Sequence, residues 1–203
     1  VVRLVGSEMC IRDRPKDNGE LATSKISEEV LIYKDSWGIP HIEAQNKHDA
    51  IFAYGYTVAK DRLFQMDLQR RLSQGKLSEL LGDDLVEIDI MFRTYLFKNW
   101  AENYLSSSHL SEESLSYVNA FVEGVNHFVE TGEKPFEYYL LNANVESFSA
   151  VDVASMTAYM AFTFMDGIRF DGLYTMLKEK VGEKNIADSY THLTLPTTYN
   201  EYI

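Results

Sequence analysis

Phe52-Ala53-Tyr54-Gly55-Tyr56-Thr57-Val58-Ala59-Lys60-Asp61-Arg62-Leu63-Phe64-Gln65-Met66-Asp67-Leu68 decides the fold class. Within it Phe52, Tyr56, Ala59, Leu63 and Met66 recur at steps of 4, 3, 4 and 3, which is one face of an α-helix. Asn46 is placed to cap that helix, and Asp49 falls in its first turn, where a carboxylate favours the helix dipole. Asp67 and Arg71 stand at i,i+4 and are expected to pair. Gly75 is the expected stop.

Upstream the period changes. Val30-Leu31-Ile32-Tyr33 is a β-prone run, Asp35-Ser36-Trp37-Gly38 reads as a turn, and Ile39-Pro40-His41-Ile42 follows. Two strands around a tight connection are expected, with Gly38 at positive φ and Pro40 at an edge or a strand start. Downstream, Lys76 to Leu81 is expected to add a turn or two before Gly82. A second helix is expected from about Ile88 to Tyr104. A third begins near Ser111, buries Leu115, Val118, Val122, Val125 and Phe128, and ends at Gly132. Pro135 marks a break. A fourth starts at Ser149, where Asp152 three residues on resembles a capping box. Gly167 is expected to interrupt it, and Leu173 to Val181 reads as a last helix before Gly182. The fold class is mainly α with a small N-terminal β element.

The formal net charge is −12, a surface that repels phosphate backbones and argues against nucleic-acid binding. No apolar run is long enough to span a bilayer, and no secretory signal pattern opens the chain. Cys10 is the only cysteine, which excludes an internal disulfide. The two ends share an unusual property. With plausible codons, Glu8-Met9-Cys10-Ile11-Arg12 is GAG ATG TGT ATA AGA, whose reverse complement encodes Ser189 to Leu193. That DNA resembles a transposase adapter used in sequencing libraries. Residues 1–14 and 189–203 are therefore expected to be translated adapter, with the biological segment from Pro15 to Asp188.

Few constellations carry chemistry. His41, His48, His109 and His127 are scattered, and Glu123 with His127 reads as a solvated pair rather than a zinc site. There is no G-x-S-x-G elbow, Walker loop or G-x-G-x-x-G. Ser73-Gln74-Gly75-Lys76 matches S-x-x-K by letter but falls at a helix end, without the S-D-N and K-T-G partners. Asp166, Asp171 and Glu179 surround the Gly167 break, either as surface acids or as oxygens for a hard cation. Met156, Met160, Phe162, Phe164 and Met165 form a dense cluster, which reads as core or as the lining of an apolar pocket.

The Asp35-x-Trp37-Gly38-x-Pro40-His41-Ile42 and Asp61-Arg62-Leu63-Phe64-Gln65-Met66 stretches, followed by Gly75-Lys76-Leu77-Ser78-Glu79-Leu80-Leu81-Gly82, resemble the α-subunit start of the penicillin acylase family of N-terminal-nucleophile hydrolases. The resemblance covers most of Glu28 to Gly182 and weakens after Thr131. It implies the α-subunit part of an αββα fold, incomplete without a β subunit cut autocatalytically from the same precursor. It implies hydrolysis of a linear amide on an N-acyl substrate such as a β-lactam side chain or an acyl-homoserine lactone. The nucleophile is then a serine, cysteine or threonine at the start of the β subunit, so no residue here is assigned a catalytic role and the fragment alone is expected to be inactive. By the same resemblance Met160, Phe164 and Met165 are expected to line the acyl pocket, Asp171 to offer a ligand to a structural calcium ion, and the protein to be periplasmic or secreted. No organic cofactor is implied. Arg62, Asp67, Arg70 and Arg71 are expected to form ion pairs in the subunit interface. The rival reading is a non-enzymatic helical binding or assembly module.

Overall fold

A computed structural model of the chain describes residue 20, residues 23–107 and residues 110–182. Both segments read as adapter, and His109, lie outside the described residues. The contact pattern divides the chain into Val1–Tyr159 and Met160–Ile203.

In the first unit the chain opens with the expected hairpin. Strands β1 (Leu31–Lys34) and β2 (Pro40–Glu43) pair antiparallel, with Ile32 opposite Ile42 and Lys34 opposite Pro40. Asp35 builds the turn: its Oδ1 accepts from the backbone N–H groups of Trp37 and Ile39, each at 2.9 Å. Gly38 takes φ 77°, a conformation a side chain would strain.

Helix α1 (Lys47–Gln74) starts as its sequence dictates: the Asn46 side chain accepts from Asp49 N–H at 2.8 Å. Asp49 does more than face the dipole. It is buried, and its oxygens accept from Ser27 N–H at 3.1 Å, Ser27 Oγ at 2.9 Å, Glu28 N–H at 3.0 Å and Asn46 Nδ2 at 2.7 Å. One carboxylate thus ties the segment leading into β1 to the start of α1. Burial by itself pushes the Asp49 carboxyl up, but the bonds from Asn46, Ser27 and Glu28 outweigh it and hold the group well below the usual carboxylate range. Helix α1 is kinked at Arg62 (φ −141°, ψ 19°) and closes at Gly75 (φ 63°), with Lys76 N–H bonded to Arg71 O at 2.8 Å.

The single helix expected from Ile88 to Tyr104 is two. After the one-turn α2 (Ser78–Leu81) and a 3₁₀ turn (Asp83–Leu85), α3 (Val86–Tyr95) and α4 (Phe97–Ser106) are separated by Leu96 at φ 59°. The apolar positions here do not form one helical stripe. The break brings the Phe97 ring within 5.7 Å of Tyr95 and 6.2 Å of Phe92, measured between centroids. Buried Asp89 holds α3 against the start of α2: it accepts from Leu77 N–H at 2.7 Å and Ser78 N–H at 2.8 Å. As at Asp49, burial raises its carboxyl, but the Ser78 hydroxyl bond, these backbone bonds and the Arg93 charge leave it below the usual range.

Helix α5 (Glu112–Thr131) is capped by Ser111, whose Oγ accepts from Ser114 N–H at 3.1 Å. It crosses α1 backbone to backbone. A Cβ on Gly55 would lie 2.1 Å from Phe121 O, and one on Gly124 would lie 2.0 Å from Phe52 O, so neither position admits a side chain. The core forms along this crossing, from Ala59, Leu63, Met66, Val122, Val125, Phe128, Tyr138 and Phe148. Leu115 and Val118, expected in the buried stripe, are only half-buried because they precede the crossing. A short α6 (Phe136–Leu140) follows Pro135.

Helix α7 (Ala150–Phe164) begins with the expected box: Ser149 N–H donates to Asp152 Oδ2 at 2.7 Å, and Asp152 N–H to Ser149 Oγ at 3.3 Å. The break after it falls at Met165, not Gly167. Met165 N–H bonds Phe162 O at 3.0 Å, a tightened last turn, and Gly167 lies inside α8 (Asp166–Val181).

Because the folded pKa of Asp49 is depressed, its stabilising contribution is complete above its ordinary value of 3.8 and is lost as pH falls through the lower folded value. Acid titration of stability, followed by circular dichroism, should therefore show wild type weakening below about pH 4. Asp49→Asn should be less stable at neutral pH and show a shallower acid slope. Equal slopes would remove Asp49 from this role.

Candidate functional site

A buried polar cluster grows from Asp67-x-x-Arg70-Arg71, on the inward face of α1. Asp67 is fully buried, and Arg70 and Arg71 are 5% and 8% exposed. The Asp67 Oδ1 accepts from both Nε and Nη2 of Arg70, and Oδ2 accepts from Arg71 Nε at 3.2 Å and from the Tyr138 hydroxyl at 2.9 Å. Arg70 Nη1 donates onward to the carbonyls of Glu146 and Ser147, both at 3.1 Å, and its guanidinium lies 4.2 Å from the Phe148 ring centroid. Burial pushes the Tyr138 hydroxyl far above its ordinary pKa, and the Asp67 charge adds to it against the two arginines. The Tyr138 hydroxyl therefore stays protonated and donates to Asp67.

This arrangement corrects one expectation in part: the Asp67–Arg70–Arg71 pairs form inside the first unit, joining α1 to α6 and to the segment before α7. Arg62 takes no part; it is exposed at the kink. A polar cleft of about 290 Å³ opens beside the cluster, lined in part by Arg71, Gln74, Lys76, Lys98, Glu102 and Asp152. Gln74 Nε2 donates to Asp152 Oδ1 at 2.6 Å, tying the end of α1 to the start of α7. Among the described residues no histidine or cysteine lines the cleft. Ser73, the first letter of S-x-x-K, is buried and donates to Arg70 O at 2.9 Å, so it acts as a helix-end bond.

The Glu123–His127 pair is also corrected. Glu123 is exposed, whereas His127 lies between the rings of Phe52 and Tyr56, at 5.7 and 6.0 Å, with its Nε2 buried and without a partner. The α1–α5 crossing is close enough to draw the imidazole against α1.

The residues expected to meet substrate lie in the second unit. Met160 and Phe164 stand one turn apart on α7, and Met165 marks the break; they are 54%, 78% and 56% exposed. They are not core in this chain. Leu173, Met176, Leu177 and Val181 add an exposed apolar stripe along α8. Asp171 is exposed on the same helix. Among the described residues no three His, Cys, Asp or Glu side chains come together as a metal site, so these residues alone do not compose a calcium site. No helix among them is long and apolar enough to cross a membrane.

Comparison with known proteins agrees with the architecture. Residues 29–197 match the family model for penicillin amidase. The chain is 38% identical over 133 residues to penicillin acylase 2 proenzyme of Pseudomonas sp. (strain SE83), covering 65% of this chain and 17% of that protein. It is 31% identical over 166 residues to penicillin G acylase of Escherichia coli, covering 77% and 19%. With acyl-homoserine lactone acylase QuiP of Pseudomonas aeruginosa it shares 28% over 191 residues, covering 91% and 22%. A solved thermostable penicillin G acylase from Alcaligenes faecalis superposes with a TM-score of 0.62 at 25% identity, covering 85% of this chain and 97% of that one. The chain thus spans about a fifth of the length of these curated relatives.

Replacing Asp67 by Asn leaves two buried guanidinium groups without their counter-charge and should cost about 3 to 5 kcal/mol in urea unfolding. Tyr138→Phe should cost about 1.5 to 3 kcal/mol, the range for bonds to charged groups. The double variant should lose less than the sum of the two. Additive losses would show that the tyrosine and the carboxylate act independently.

Proposed function

The chain belongs to the penicillin amidase family, and we propose from that premise that it is the α-subunit portion of an N-acyl amide hydrolase whose β subunit comes from the same precursor. The observation that carries this reading is a contrast of lengths. The chain covers about a fifth of its curated relatives but 97% of one chain of a solved penicillin G acylase. The region therefore corresponds to a polypeptide that stands as a chain of its own in that acylase.

On this reading the β subunit brings the nucleophile, a serine, cysteine or threonine at its N-terminus. Attack on the linear amide releases the amine and leaves an acyl-enzyme, and water then releases the acid. This chain supplies scaffold and one wall of the acyl pocket. Met160, Phe164 and Met165 suit that wall because they are apolar, adaptable and uncovered in this chain. The names of the relatives support penicillins and acyl-homoserine lactones as candidate substrates. A periplasmic or secreted location and adapter origin for residues 1–14 and 189–203 belong to the same proposal.

Reading the source gene past Asp188 and expressing the full precursor tests it. The expected result is two chains, the second starting with Ser, Cys or Thr, that cleave N-acyl amides, while the 203-residue chain alone does not. Phe164→Ala should then lower kcat/KM about tenfold for a preferred acyl group and less for a shorter one, a loss of about 1.4 kcal/mol. A full-length protein with no such second chain and no amide hydrolysis overturns the assignment.

A calcium ion at Asp171 would take its remaining oxygens from the companion chain. Chelation of the assembled enzyme should lower Tm in wild type and leave Asp171→Ala unchanged. A wild-type Tm indifferent to chelator removes calcium.

A further inference from the structure

A second cleft, of about 390 Å³, opens between the end of α1 and the break that joins α3 to α4. Its lining divides by chemistry. Phe92, Leu96 and Phe97 are apolar, Lys76, Arg93 and Lys98 are cationic, and among the described residues no carboxylate takes part. In a chain with 31 acidic and 19 basic residues, three cations without an acid run against the composition. The first cleft shares Lys76 and Lys98 but has Glu102, Glu146 and Asp152 in its lining, so it lacks this asymmetry.

The fold holds both halves of the lining in place. Gly75 ends α1 at φ 63°, and a Cβ on it would lie 2.5 Å from Arg93 Cγ, so the glycine is what lets the arginine cross the helix end. Arg93 Nε then donates to Gly75 O at 2.8 Å, which anchors the guanidinium and leaves its Nη groups for another acceptor. The Asp89 oxygens, one turn back on the same helix, are committed to the Leu77 and Ser78 N–H groups. Among the described residues Lys76 has no carboxylate within ion-pair distance, and Lys98 meets Glu102 only at 3.9 Å, with both side chains about half exposed. On the apolar side, Leu96 at φ 59° turns the chain between the two helices. The Phe97 ring then stands 6.2 Å from that of Phe92, close enough for one flat ligand to pack against both.

We propose that this cleft binds a small aromatic carboxylate, its ring against Phe92 and Phe97 and its anionic group shared among Lys76, Arg93 and Lys98. The net charge of −12 disfavours a polyanion such as a nucleotide at long range, whereas a single carboxylate on an apolar body gains from both halves of the lining. The cleft lies wholly within the first unit, so the inference stands apart from the two-chain reading above.

The test uses the full-length protein and 4-azidobenzoate, a photoreactive aromatic carboxylate, with labelled positions mapped by mass spectrometry. Saturable label is expected within residues 92–99. Excess benzoate should suppress it, and benzyl alcohol, a neutral analogue of similar shape, should not. Added salt should weaken it. Lys76→Met combined with Lys98→Met removes two charges and keeps the aromatic side, and label there should fall about tenfold. Because the double variant can lose label through altered packing, the competition on the wild type is the deciding measurement. Equal suppression by benzoate and benzyl alcohol reduces the cleft to an apolar patch and overturns carboxylate recognition. Label absent from residues 92–99 in a protein that hydrolyses amides overturns the cleft and leaves the acylase reading intact. Specific label there in a full-length protein without amide hydrolysis defeats the acylase reading and upholds this one.

Discussion

The carboxylate of Asp67 is the constraint on which the first unit depends. Two guanidinium groups and a phenol converge on it out of water. Such a cluster is a poor source of net stability, because desolvating three charges costs about as much as their attraction returns. Its value lies in selecting one arrangement. Arg70 makes its four bonds only when Asp67 and the carbonyls of Glu146 and Ser147 are in place, and Tyr138 adds its own bond to the same carboxylate. An apolar core tolerates sliding; this one does not. The kinked α1 is thereby locked to α6 and to the segment that leads into α7, and Gln74 bonds Asp152 at the first turn of α7.

The same chemistry recurs at Asp35, Asp49, Asp89 and Asp152. Each accepts from backbone N–H groups of a turn or helix start. Serine hydroxyls beside three of them, Ser27, Ser78 and Ser149, donate to the carboxylates and complete the caps. A hydroxyl bonded to a carboxylate resembles half of a catalytic arrangement, but here the carboxylates are committed to the backbone, and at Asp49 and Asp89 they are held ionised by those bonds. The acidity of the chain is in this part architectural. It says nothing about the charge of a substrate.

Legibility followed sequence distance. Asn46, Gly38, Gly75, Ser111, Gly132 and the Ser149–Asp152 box were readable because a cap or turn involves residues at most four apart. The Asp67–Arg71 pair was readable for the same reason, but its fourth member, Tyr138, lies 71 residues away and has no local signature. Gly55 and Gly124 look like ordinary helix-weakening glycines until the crossing shows that each removes a clash with the other helix. Leu96 has the opposite problem: a leucine at positive φ contradicts its propensity, and only the packing of Phe92, Tyr95 and Phe97 accounts for it. Of the candidate site, Met160, Phe164 and Met165 could be named from the sequence as an apolar cluster, but that they stand exposed could not, because exposure depends on packing between distant elements.

Two kinds of surface are exposed among the described residues, and they differ in what they demand. The apolar side chains of α7 and α8 gain from any cover, since burial of apolar area is non-directional. The β1 edge demands an extended backbone in one register, because each free N–H and C=O needs its own counterpart. A protein with only the first would be satisfied by aggregation or by a loose dimer. On the proposed function, an acyl pocket built from two polypeptides would need both: a wall of Met160, Phe164 and Met165 would be adaptable, and precision would come from directional contacts elsewhere.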